Sequence, residues 1–471
     1  MGSPTVSIII PTYNGRAHLE ECFRSLRALN YPSDKREIIL VDNGSLDGSV
    51  EYVREFYPEA TVVQNEKNEG FAGPCNLAAE RSQSEYLAFL NNDTRVHPEW
   101  LNELTRSIES PTIDTETVAC VAGKIVSWDG RTLEYDGGIM NFHGHGHHLG
   151  MGQPVSAGSS HEEPTLFACA ASMLIRRDVF LEVGGFDQDY FAYFEDIDLG
   201  WRLWLFGFQV LYCPSAIVFH KGHGTAALSQ AERKKLLERN GLFNVFKNYS
   251  DANLEQMLLP ALSLSTMKAS IDPEYRTSYL EAINEFFTCL DQLKVKRHDI
   301  QRRRKLDDEK IFSLFRQPFR PSMHDVNYWS LQRKLVRSFG LDRKFFEEGG
   351  LMKDQLIGYE NLIEDLYRLQ RETANAHGIQ LAEARQEGET LRGRVKEVEA
   401  LLQTRDGQLA EARQEGETLR GRVVVLEEQN QLQERLIQAS MHRLDEFLNQ
   451  QSRRLSTRIV NFLFWTRGRR L

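Results

Sequence analysis

The sequence predicts an α/β body built on a mostly parallel sheet, followed by a helical region and a C-terminal coiled coil. Three observations predict it. Residues 6–11 (VSIIIP), 37–41 (EIILV) and 86–90 (YLAFL) are short, continuous apolar runs, as expected of strands covered on both faces. Helical periodicities separate the early strands over short connections, which imposes right-handed crossovers and hence parallel pairing. Far downstream, LAEARQEGETLRGRV occurs at 381–395 and again at 409–423, an offset of 28 residues, or four heptads.

Taken in order, 12–15 (TYNG) is a turn, after which Leu19, Cys22, Phe23, Leu26 and Leu29 recur at helical spacing. The second strand ends in the polar turn 42–49 (DNGSLDGS), followed by a helix at 50–56 and a strand at 61–63. Ligands of such sheets sit outside the carboxyl ends of the strands, where both turns lie. Neither turn has the glycine spacing of a dinucleotide or P-loop site. Asp42 caps the second strand, where it can accept from a base N–H or a ribose hydroxyl; Asp47 reads as an Asx-turn residue. Residues 65–76 (NEKNEGFAGPCN) form a glycine-containing loop into a helix at 77–81, suited to phosphate or sugar. The strand at 86–90 stops at Asn91, Asn92, Asp93 and Thr94. Asp93 is placed to hold a divalent cation, with an ordinary strand-end turn as the alternative. Residues 117–125 and 165–177 read as buried segments beside the cleft, and 209–212 as a strand.

Residues 191–207 (FAYFEDIDLGWRLWLFG) bring Glu195, Asp196 and Asp198 to the head of an apolar helix. Buried acids need pairing, protonation or a metal. The alternative is a helix N-terminus, where the dipole favours acids.

The chain has 471 residues, room for two to four domains, and its net charge of -10 argues against nucleic acid as a partner. Six scattered cysteines without a CxxC pair suit reduced thiols in the cytoplasm. No signal peptide is read at the start, and no run approaches the ~20 apolar residues of a membrane span. The loop 141–152 holds His143, His145, His147 and His148 among glycines and reads as a mobile loop rather than a metal cluster. From 226 to 369 the pattern is helical, and the basic run 294–305 reads as a solvated helix face. Between 381 and 447, fourteen of twenty a and d positions are apolar, enough for a coiled coil. Asn430 at an a position favours a homodimer, with a trimer left open. The tail 453–471 has six arginines and no acid around IVNFLFW, suited to an anionic membrane surface.

With PTYNG, VDNGSxDGS, NxGFA, LNNDT and FEDIDLxxR in this order, residues 4–250 resemble the inverting family 2 glycosyltransferases of GT-A fold. The resemblance is greatest to bacterial rhamnosyltransferases and galactofuranosyltransferases. It implies that Thr12, Asn14 and Asp42 line a nucleotide pocket and that Asn68, Gly70 and Asn92 lie along the donor. Asp93 would be the metal-binding acid of a DxD-like motif whose first acid is Asn91 here. Asp196 would be the base and Glu195 its acceptor-side neighbour. His220 would supplement the metal or diphosphate site, with His223 as the alternate. The implied cofactor is Mg²⁺ or Mn²⁺. The implied donor is a nucleotide sugar (dTDP-rhamnose or a UDP-sugar), and the basic tail with oligomerisation upstream fits a lipid-linked glycan acceptor met at the inner face of the cytoplasmic membrane. The expected domains are 1–250 catalytic, 251–375 a helical extension, 376–450 the coiled coil and 451–471 the membrane-surface tail. A catalytically degenerate scaffold on a coiled-coil arm is the competing reading. A nucleotidyltransferase or glycoside hydrolase fits less well, since TYNG is not a glycine-rich activation loop and a hydrolase needs no nucleotide pocket.

Overall fold

A computed structural model describes residues 2–113, 117–222 and 228–315, with isolated positions 335, 338–341 and 421. The coiled coil (apart from residue 421), the basic tail and His223 lie outside the described residues. The chain opens with β1 (Val6–Thr12), α1 (Arg16–Arg27), β2 (Arg36–Asp42), α2 (Ser49–Phe56), β3 (Thr61–Gln64), α3 (Ala72–Arg81) and β4 (Tyr86–Leu90). There follow β5 (Thr94–Val96), α4 (Trp100–Glu109), β6 (Val118–Ser127), β7 (Leu133–Tyr135), β8 (Gly138–Met140) and β9 (Gly146–His148). Next come β10 (Glu163–Pro164), β11 (Ser172–Arg176), α5 (Arg177–Glu182), α6 (Glu195–Leu205) and β12 (Gln209–His220). Five helices complete the described chain: α7 (Gln230–Asn248), α8 (Asp251–Ile271), α9 (Arg276–Thr288), α10 (Leu290–Arg303) and α11 (Asp308–Phe315).

The main sheet runs β10-β12-β6-β11-β4-β1-β2-β3, with β5 on β12 and β7 on β6. Strands β3, β2, β1 and β4 are parallel, β11 is antiparallel to both neighbours, and β6 and β12 are parallel again. This is the α/β class expected. The chain order reverses between β1 and β4, a switch point that opens a crevice at their carboxyl ends. Both faces are covered, which is why the strands read as unbroken apolar runs. Ile8, Ile10, Leu40, Ala88 and Leu90 pack with Phe23 and Leu26 of α1 and Trp100 and Leu104 of α4. On the other face Phe89 meets the rings of Phe180 and Phe186.

Several boundaries differ from expectation. Helix α3 begins at Ala72 rather than 77, because Pro74 falls in its first turn, where no N–H is needed. Strand β12 does not stop at 212. Register shifts against β6 around 213–217 absorb Pro214, and the strand resumes to His220.

The histidine loop is also different. Residues 138–148 form the β8–β9 hairpin, with His143 buried rather than on a mobile loop. Its tip is held to α7: Asn244 Nδ2 donates to the Gly144 carbonyl (2.9 Å), and a Cβ at Gly144 would lie 2.2 Å from the Gly241 carbonyl. Among the described residues no group of three or more His, Cys, Asp or Glu is placed to hold a metal. Burial pushes His143 well down, and burial lowers His148 to about 4 against a backbone hydrogen bond to Glu134. In the unfolded chain these imidazoles titrate near ~6.5, so below that pH the unfolded state binds more protons. The stability they confer is present above ~6.5 and is lost as pH falls toward the folded value, by about 1.4 kcal/mol per histidine per pH unit. The melting temperature should therefore fall between about pH 6.5 and 4, and less steeply in His148→Gln. Equal slopes in the two proteins would contradict the burial.

Helices α7–α10 belong to the same compact unit as the sheet. The basic run 294–305 is solvated on one face only, with Val295, His298, Arg302 and Lys305 exposed and the other face turned to α7. Arg297 donates to the Phe246 carbonyl (2.7 Å), Gln301 to that of Lys247 (2.9 Å) and Arg304 to that of Asn248. The last carbonyls of α7 have no intrahelical partner, and these side chains satisfy them. That demand exists only once the two helices meet.

Candidate active site

The donor side is assembled from turns at the crevice. Thr12 and Asp42 stand level at the ends of β1 and β2, and the Thr12 carbonyl accepts from Asn43 N (2.8 Å). Asn14 adopts φ 48°, a left-handed conformation Asn tolerates. Its N–H donates to Ser45 Oγ (2.8 Å) and its Oδ1 accepts from Leu46 N (2.9 Å), which locks TYNG to DNGS. Asp47 is confined to that turn, accepting from the N–H groups of Arg16 (2.8 Å) and Ser49 (3.1 Å). Asp42 is different: it is 1% exposed, its Oδ2 accepts from Ser45 N (3.2 Å), and its Oδ1 has no hydrogen-bond partner among the described residues. A buried carboxylate oxygen left this way is destabilising unless a ligand N–H or O–H reaches it.

Asn43, which the sequence reading did not single out, organises the next loop. Its Nδ2 donates to Asn68 Oδ1 (2.8 Å) and to the Gly70 carbonyl (2.7 Å), and its Oδ1 accepts from Glu69 N (3.1 Å). Gly70 has φ 79°, and a Cβ there would lie 2.1 Å from the Phe191 carbonyl. Only glycine fits. Asn92 Nδ2 donates to Thr12 Oγ1 (3.3 Å), so this asparagine joins the donor side.

Asp93 and His220 meet because β5 pairs with β12, setting Thr94 opposite His220. His220 Nε2 lies 3.3 Å from Asp93 Oδ1, and its Nδ1 lies 2.6 Å from Glu134 Oε2 on β7. Burial disfavours the imidazolium, but hydrogen bonds to Asp93 and Glu134 and their charges outweigh it and raise His220 to about 9. Nothing in the sequence marks Glu134, 86 residues away. A buried carboxylate beside an imidazole whose other nitrogen is held by a second carboxylate is a donor set that fits a divalent cation once the cation displaces the Nε2 proton of His220. Two protein ligands suffice when water and phosphate oxygens supply the rest.

The three acids of 191–207 separate. Asp198 is fully buried and paired, with Arg202 Nε and Lys247 Nζ each at 2.8 Å and Asn248 Nδ2 at 3.1 Å. It is a structural anchor. Asp196 accepts from Ala170 N (3.3 Å) and Ile197 N (2.9 Å), and burial raises it to about 6 against those bonds. Glu195 is 6% exposed, and burial, then the charge of Asp196, hold it well above the usual carboxylate range. Burial thus favours the neutral form of both acids, of Glu195 more strongly, and the two titrate as a pair.

Residues 7–184 match the family described as glycosyl transferase family 2. The glycosyltransferase AglE of Haloferax volcanii is 33% identical over 114 residues, 24% of this chain and 38% of that protein. The chain therefore spans well under two thirds of that relative's length. An N-acetylglucosaminyl-diphospho-decaprenol L-rhamnosyltransferase of Mycobacterium tuberculosis is 26% identical over 242 residues, 46% of this chain and 76% of that protein. Among solved structures, S. aureus TarS 1-349 aligns with a TM-score of 0.43 at 17% identity, covering 72% of this chain and 91% of that one.

Proposed function

We propose that this chain, which carries a glycosyl transferase family 2 domain at residues 7–184, is an inverting glycosyltransferase that extends a bacterial surface glycan. The observation that carries the proposal is the grouping of residues: an unsatisfied Asp42 carboxylate oxygen, the Asp93–His220 pair, and Asp196 at the head of α6 with no cation on it among the described residues. Asp42 Oδ1 would accept the ring N–H of a uracil or thymine. Asn68 and Gly70 would hold the sugar diphosphate. Asp196 takes the proton of the acceptor hydroxyl as that oxygen attacks the anomeric carbon. The bond from anomeric carbon to phosphate oxygen breaks, the nucleoside diphosphate leaves, and the configuration inverts. Glu195 would hydrogen-bond the acceptor. Asp93 and His220 would hold Mg²⁺ or Mn²⁺, which when bound supplies Lewis-acid neutralisation of the departing diphosphate. Rhamnose is the favoured sugar, by likeness to the mycobacterial relative, and the acceptor is lipid-linked for the same reason.

The test is release of dTDP or UDP by the purified chain, screened with dTDP-rhamnose, UDP-galactofuranose and UDP-hexoses, with Mg²⁺ or Mn²⁺ and lipid-linked acceptors. Turnover names the donor. Silence from folded protein across all donors would favour the scaffold reading. Asp93→Ala and His220→Ala should each weaken Mn²⁺ binding at least about 10-fold, read by calorimetry in the presence of UDP. Unchanged affinity in both variants would remove the metal from the scheme.

A further inference from the structure

The segment leading into α6 is held in a strained conformation. Phe191, Tyr193 and Phe194 take φ of 61°, 68° and 69°. Bulky residues persist in that region only where the surroundings over-determine them. Here α7 does so. Asn240 is fully buried, and its Nδ2 donates to the carbonyls of Tyr190 (3.1 Å), Ala192 (2.9 Å) and Tyr193 (2.7 Å). Its Oδ1 accepts from Arg239 Nε (3.0 Å), while Arg239 Nη2 donates to the carbonyls of Asp189 (2.9 Å) and Tyr190 (3.1 Å). On the other side, the Phe191 carbonyl accepts from Phe71 N (2.6 Å), next to the close approach of Gly70.

The strained loop thus lies between α7 and the donor loop, and the residues it delivers are Glu195 and Asp196. An amide suits this place, since it donates to several carbonyls and can be buried without the penalty of a charge. We propose that Asn240 is a positioning residue for the transfer reaction: it locks the left-handed 191–194 loop in the conformation that presents Asp196 to the acceptor and registers that loop against the donor loop. The proposal rests on Asp196 being the base.

The test compares wild type, Asn240→Ala and Asp196→Asn in the full chain. Turnover is expressed per UDP- or dTDP-binding site, so that misfolded protein is not counted. Asn240→Ala should lower kcat roughly 10²-fold. Nucleotide affinity should be unchanged, and the acid limb of the pH profile should move because the carboxylate is no longer held in the same place. Hydrogen exchange reads the same geometry without substrate, with faster exchange at 194–198 and normal protection in β1, β2 and β4. Wild-type kcat per site, acid limb and exchange would overturn the proposal. If Asn240→Ala does not fold, Arg239→Lys loses the forked contact to the Asp189 and Tyr190 carbonyls and should show the same split at about 10-fold. Full turnover in Asp196→Asn would defeat the base assignment and this proposal together. An inactive Asp196→Asn beside a normal Asn240→Ala would defeat this proposal alone.

Discussion

Asp196→Asn is expected to reduce kcat by about 10²–10⁴-fold while nucleotide binding persists, because only the proton acceptor is lost. The carboxamide keeps the size of the side chain, but its single oxygen can accept from only one of Ile197 N and Ala170 N, which Asp196 holds with separate oxygens; the helix-start bond to Ile197 N is the one it can keep. Direction of pH follows from the same environment. Asp196 is raised to about 6 by burial, and a base works only when unprotonated. Activity should therefore rise with pH through about 6 and level off above it. Since Glu195 and Asp196 interact, that limb belongs to the pair. Burial favours the neutral form of Glu195, so Glu195→Gln should lose far less activity than Asp196→Asn. An Asn variant with wild-type kcat, or an equal loss in the Gln variant, would reverse the assignment of roles.

Lys247→Met should be among the most destabilising single changes in the described chain, by about 3–5 kcal/mol. Lys247 Nζ is 2.8 Å from Asp198 and 2.5 Å from Asp187, and its side chain is 1% exposed. Met fills the same volume, so the loss is electrostatic. Three carboxylates, Asp187, Asp189 and Asp198, would then be left with two cations, Arg202 and Lys296, so one negative charge would lack compensation. Thermal unfolding should fall by roughly 6–20 °C. A change under about 1 kcal/mol would place this cluster with exposed ion pairs, which contribute little.

The sequence contained much of the site because strand ends are local features. Apolar runs with polar turns after them located Asp42, Asp93 and the turn holding Thr12 and Asn14, whose roles the family resemblance supplied, and the structure sets Thr12 and Asp42 level on adjacent strands. Asp47 could be read as a turn residue for the same reason. The three acids of α6 show where locality fails. Asp196 and Asp198 are two positions apart, about 200° around a helix, so they face opposite ways. Which faced the cleft depended on Arg202 and Lys247, and Lys247 comes from another helix.

Pattern and spacing therefore determined the sheet, its crevice and the residue types gathered there, since periodicity and turn chemistry act over a few residues. Tertiary structure alone decided which acids are buried without a cation among the described residues, Glu195 and Asp196, and which is paired, Asp198. It also extended β12 past Pro214 to bring His220 to Asp93, set Glu134 behind that histidine, and laid Asn240 across the loop before α6. Charge compensation and desolvation depend on what packs against a group, and those partners are distant in the chain.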